Sequence, residues 1–188
     1  MLKVVQLSIL IPFIFMVGCS GLSKYDDNEA AAIVKGQEIT VGDLRFLYPD
    51  DTALDYLESA IEVELVKQEV KEMDLDISSN LSDEKNRNEF KKLPPKNTKK
   101  DEGGKQIRKF AKAQAKKLDM TPEDFQREYA NKINERNAYI NTYLEEKLGD
   151  AEADVNDENW IEEFGEEYHN LLEKLVDENE DEIEILID

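Results

Sequence analysis

The chain has 188 residues, enough to bury one domain core, and sets 44 Asp and Glu against 24 Lys and Arg for a formal net charge of −20. So acidic a chain lacks the electrostatic footprint of a nucleic-acid binder. A single cysteine leaves no partner for a disulfide, and a single histidine provides no set for metal or triad chemistry.

Lys3 is followed by an apolar run, Val4 to Val17, broken only by Gln6, Ser8 and Pro12. Spanning a bilayer takes roughly 20 apolar residues, and this run is shorter, as the apolar part of a secretory signal is. It ends in Met16-Val17-Gly18-Cys19, which resembles the lipobox of bacterial lipoproteins, although Met16 and Val17 depart from the commoner Leu and Ala or Ser. The resemblance implies a signal peptide over 1–18, lipidation of Cys19, and a place on the extracytoplasmic face of a bacterial cell membrane. An uncleaved anchor helix with an incidental cysteine is the alternative. Residues 19–29 read as a polar, lipid-anchored tether, and 30–188 as one folded domain.

Ala31-Ala32-Ile33-Val34 and Gln37-Glu38-Ile39-Thr40 flank Lys35-Gly36, a hairpin pattern in which Gly36 supplies the positive φ of a two-residue turn. Thr40 and Asp43 form a capping box for a short helix that Pro49 stops. A long helix capped by Asp51 or Thr52 is expected to run to Asp74, with Leu54, Leu57, Ile61, Leu65 and Met73 near helical spacing. A weaker helical stretch covers 82–93. Leu93-Pro94-Pro95 through Gly103-Gly104 predicts a mobile loop at about 93–105. Helix returns over 105–118. Thr121-Pro122-Glu123-Asp124 starts another that Gly149 ends, and a last amphipathic helix spans 159–178. Ile183, Ile185 and Ile187 alternate as in a strand. The hairpin is its available partner, so the two ends are expected to meet in a small sheet.

Charge is segregated. Lys85 to Lys117 holds 13 Lys and Arg against 3 Asp and Glu, whereas Asp150 to Asp188 holds 17 acids against Lys174. Solvated helix faces with a flexible linker account for this most simply; intramolecular complementarity, or contact with an anionic membrane or wall polymer, are the other readings. The acids at Asp150 to Glu158 lack the glycine and spacing of a calcium loop. His169, near Glu166 and Glu173, reads as a surface histidine.

The hairpin segment Ile33-Val34-Lys35-Gly36-Gln37-Glu38-Ile39-Thr40, the stretch Leu65 to Ser78, the turn Lys117-Leu118-Asp119-Met120-Thr121-Pro122-Glu123-Asp124-Phe125 and the closing Ile183-Glu184-Ile185 together resemble the N-terminal module of the SurA and PrsA group of exported foldases. Asp74 and Asp119 stand where that family prefers glycine. The resemblance implies a mainly α, trigger-factor-like helical domain with a small sheet from the N-terminal hairpin and the C-terminal strand. It implies a chaperone that binds unfolded exported polypeptides, with no cofactor or metal. The family's parvulin prolyl isomerase domain has no counterpart: only Gly149 to Asn159 occupies its place, so no enzymatic activity is expected. Phe110, Phe125, Tyr129, Tyr139 and Tyr143 are the candidate client-binding residues, with core packing as their plainer reading. A lipoprotein that docks one specific membrane or wall partner is the alternative function.

Overall fold

Alternation and turn chemistry place the hairpin where the sequence predicts it. The computed structural model describes residues 22–82, 84–96, 102–149 and 158–187, with the backbone alone at 23, 84, 85 and 158–164. The expected signal peptide, Cys19 and the acidic stretch 150–157 lie outside the described residues. Strands β1 (Ala30–Val34) and β2 (Gln37–Thr40) pair antiparallel around Lys35 (φ 48°) and Gly36 (φ 78°), the two positive φ values of a type I′ turn. Lys35 has no turn preference of its own. It is held there by Glu72 at 2.9 Å and Glu69 at 3.7 Å, partners that raise its pKa, the hydrogen bond to Glu72 most. A register shift between Ala30 and Ala32 turns both Ala31 and Ala32 inward, where strict alternation would bury only one.

The third strand, β3 (Ile183–Ile185), lies antiparallel to β1 with Ala32 opposite Ile185 and Val34 opposite Ile183, giving the order β2-β1-β3. The chain's two ends therefore meet in one sheet. The isoleucine alternation only partly reports burial: Ile187 is buried, but Ile185 is 59% exposed because β3 is a short edge strand.

Thr40 caps α1 (Val41–Leu47) through a complete capping box with Asp43. Tyr48 is extended at φ −128°, ψ 155°, as the residue before Pro49 must be. The long helix begins later than its expected cap: Thr52 makes no capping bond, the chain enters through a 3-10 turn at Ala53–Tyr56, and α2 spans Leu57–Glu72. The helices α3 (Glu84–Phe90), α4 (Glu102–Lys117), α5 (Pro122–Leu148) and α6 (Glu158–Glu178) follow. Leu57, Ile61, Leu65, Val66 and Val70 of α2 meet β1, the buried Tyr143 of α5, and Leu172 and Leu175 of α6 in the main core. The protein is mainly helical with a small three-stranded antiparallel sheet.

Two further boundaries differ from expectation. The tether ends before Leu22, not at 29: Leu22 is fully buried and its N–H donates to Asp50 O at 3.3 Å. Asp27 accepts from Gly42 N at 2.8 Å and pairs with Arg45 at 2.6 Å. A Cβ on Gly42 would sit 2.8 Å from Asp27 O, so the absent side chain admits this segment. The loop at 93–105 is also shorter. Arg108 Nη1 donates to Pro94 O (3.1 Å) and Pro95 O (2.8 Å), and helix α4 already includes Gly103 and a buried Gly104. Packing outweighs the roughly 1 kcal/mol helix penalty of each glycine.

Asp74 (φ 54°) and Asp119 (φ 53°) hold the left-handed position that closes α2 and α4. Leu75 N reaches Val70 O at 3.1 Å and Met120 N reaches Ala115 O at 2.8 Å, the long bond of a Schellman motif in each case. Glycine fits this conformation without a Cβ clash. Asp74→Gly and Asp119→Gly should therefore each stabilise the fold by about 0.5–1 kcal/mol, net of the freer unfolded chain. Thermal unfolding of each variant checks this, and a lower midpoint would refute it.

Candidate functional site: an open apolar groove

A second, smaller core lies between α4 and α5. Ala111, Ala115 and the fully buried Phe125 form its centre, with Phe46, Leu93, Phe110, Leu118, Met120 and Tyr129 packed against it. The ring of Phe125 lies 5.2 Å from Phe46, 5.7 Å from Phe110 and 5.5 Å from Tyr129, distances at which aromatic pairs attract. Burial raises the pKa of the Tyr129 phenol, with Tyr48 adding to it and Arg136 opposing. This cluster is the floor of a surface groove.

The groove opens between α3, α4 and α5 as a cavity of about 620 Å³, with a second of about 920 Å³ adjoining it beneath the Leu93-Pro94-Pro95 stretch. Phe90 and Ile107 line both, and are 66% and 43% exposed. Large apolar side chains left in water beside an aromatic floor mark an interaction surface more often than a packing fault. Polar bonds fix the walls. Gln126 Nε2 donates to Phe90 O at 2.8 Å, Ser82 N donates to Asn134 Oδ1 at 3.1 Å, and Asn80 Nδ2 donates to Thr142 Oγ1 at 3.1 Å and Glu145 Oε2 at 2.7 Å.

The five candidate aromatics divide. Phe110 and Tyr129 line the groove, and Phe125 lies under it with no exposed surface. Tyr139 and Tyr143 belong to the main core, Tyr143 with 3% exposure and a phenol pushed up to about 12 by burial. Phe125 and Tyr143 are thus packing residues and present no surface to a client. The reason is geometric. Phe125 and Tyr139 are fourteen residues apart, about 21 Å along one helix, so α4 covers one end of α5 while α2 covers the other.

No family model, curated protein or solved structure matches the chain. The groove must therefore be interpreted from its own chemistry. Among the described residues no group of three His, Cys, Asp or Glu could hold a metal ion, and no helix is long and apolar enough to cross a membrane. His169 is exposed on α6, away from the groove lining. Sequence patterning passed over Phe90 and the asparagines of α5. Phe90 carried one available signal, a lone aromatic in the otherwise polar Glu84–Phe90.

Proposed function

We propose that this protein is a lipid-anchored, extracytoplasmic chaperone of the SurA and PrsA type that shields apolar stretches of newly exported polypeptides without prolyl isomerase catalysis. The observation that carries the reading is the groove: Phe90, Ile107 and Phe110 offered beside a packed aromatic floor, in the part of the fold farthest in sequence from the sheet that ties the ends together. An adaptable apolar cleft of this kind gains little from any one sequence and tolerates many. The lipobox resemblance at Met16-Val17-Gly18-Cys19 supplies the anchor.

The test is aggregation of a chemically unfolded client in the presence of stoichiometric protein. Protection should be clear with the native chain and reduced severalfold by Phe90→Ser with Ile107→Ser. Because both side chains are substantially exposed, the unfolding midpoint should hardly move. Undiminished aggregation with the native chain sinks the proposal. For the anchor, Cys19→Ser should move the protein from the membrane fraction into the soluble exported fraction, since two acyl chains anchor a protein stably and their loss removes that hold; unchanged fractionation would favour the uncleaved helix.

A second reading, docking to one specific partner, is favoured by the exposed stripe Lys105, Lys109, Lys112 and Lys116 along α4. Crosslinking in cells separates them: many unrelated exported chains support the chaperone, one stoichiometric partner the dock.

A further inference from the structure

The groove carries a charge that the protein as a whole does not. Acids outnumber bases 44 to 24 along the chain, yet among the described residues no carboxylate lines the 620 Å³ cavity, whereas Arg87 and Lys91 do. Lys92 lines the adjoining cavity, where Glu89 is the one acid among the described residues. Among the described residues none of these three cations forms an ion pair. Their charges are left to meet whatever enters.

The α5 wall contributes neutral amides. Asn137 and Asn141 line the cavity, are exposed, and make no hydrogen bond among the described residues. Each amide offers both a donor and an acceptor. A helical occupant has already satisfied its backbone, but an extended one brings N–H and C=O groups that need partners. Four residues of helix separate the two amides by about 6 Å, close to the roughly 6.6 Å two-residue repeat of an extended chain.

We infer that the groove takes an extended polypeptide segment whose apolar side chains pack on Phe90, Ile107 and Phe110 and whose flanking residues are acidic, and that it rejects segments flanked by lysine or arginine. This rests on the chaperone reading and names its client class. The cations do not create the affinity. They sort the clients that the apolar floor would otherwise hold alike.

The test uses the full chain in phosphatidylcholine nanodiscs and dye-labelled peptides sharing one apolar centre, flanked by glutamate, serine or lysine. At low ionic strength, anisotropy titration should rank glutamate above serine above lysine, with about a fivefold to tenfold gap between the extremes that added salt closes. Arg87→Glu combined with Lys91→Glu should invert the order while the urea midpoint stays in place. Equal affinities for the three peptides, or an order the double variant leaves intact, overturn the inference. Client protection that persists in that case leaves the chaperone reading standing and removes only the charge selection. Loss of all peptide binding together with client protection overturns both. Binding to phosphatidylglycerol vesicles that the double variant abolishes, without any peptide preference, assigns the cations to a lipid surface and also overturns the inference.

Discussion

Phe125→Ala is expected to lower the unfolding free energy by about 3–5 kcal/mol, the usual cost of emptying a large aromatic site. Phe125 has no exposed surface and touches Phe46, Phe110 and Tyr129. Those three come from α1, α4 and α5, so the cavity falls where three helices join. Relaxation into it would draw Phe110 and Tyr129 down from the groove. The variant should therefore lose client protection as well as stability, whereas Phe90→Ser with Ile107→Ser should lose protection alone. Urea unfolding, read by far-ultraviolet circular dichroism, gives the first quantity. A cost below about 1 kcal/mol would mean that the second core is not packed as described.

The next largest effect is expected at Gln114, which is 3% exposed. Helix α1 ends with carbonyls that no following turn can satisfy. The two N–H bonds of Gln114 Nε2 are shared among Arg45 O at 3.0 Å, Phe46 O at 3.2 Å and Tyr48 O at 3.0 Å. Lys117 Nζ reaches Arg45 O, Tyr48 O at 3.0 Å and Asp50 Oδ1 at 2.7 Å. One turn of α4 thus caps the end of α1 and binds the two cores together. Gln114→Leu leaves Phe46 O without this donor while Lys117 still serves the other two, so it should cost about 1–3 kcal/mol. Lys117→Met alone leaves Gln114 in place. The double variant strips every carbonyl at once and should cost more than the two single changes added together. Additive losses would show that the two side chains act independently.

Patterns within one element were legible in the sequence. The capping box at Thr40 and Asp43, the proline start at Thr121 and Pro122, and the Gly149 stop all fall at their expected positions. The sheet joining the chain ends was legible too, because Ile183 to Ile187 had one available partner. Long-range competition was not. Gly103 and Gly104 look like loop residues until neighbouring packing makes them helical, and Leu22 looks like tether until Asp50 and Asp27 take hold of that segment. Gln114 gave no sign that it caps a helix 66 to 69 residues earlier. For the site, hydrophobic period identified Phe110 and Tyr129 but could not separate the half of α5 facing a groove from the half facing the core. Asp74 and Asp119 fell on left-handed positions that glycine would occupy without strain, and no sequence pattern forbids an aspartate there.

On the proposed lipid anchor, the burial of Leu22 would fix how high the body stands above a bilayer. With acyl chains on Cys19, only three residue steps separate the lipid from a side chain locked in the core, a reach of about 10 Å at full extension. That barely clears the roughly 5–7 Å headgroup layer of one leaflet. A leash of that length would keep the body from patrolling the space beyond the membrane. Leu22 lies beside Asp50, which Lys117 grips at one end of α4, and Ile107 of the groove is about 15 Å along the same helix. Chains would be caught as they emerge at the lipid surface, and those already released would pass out of range.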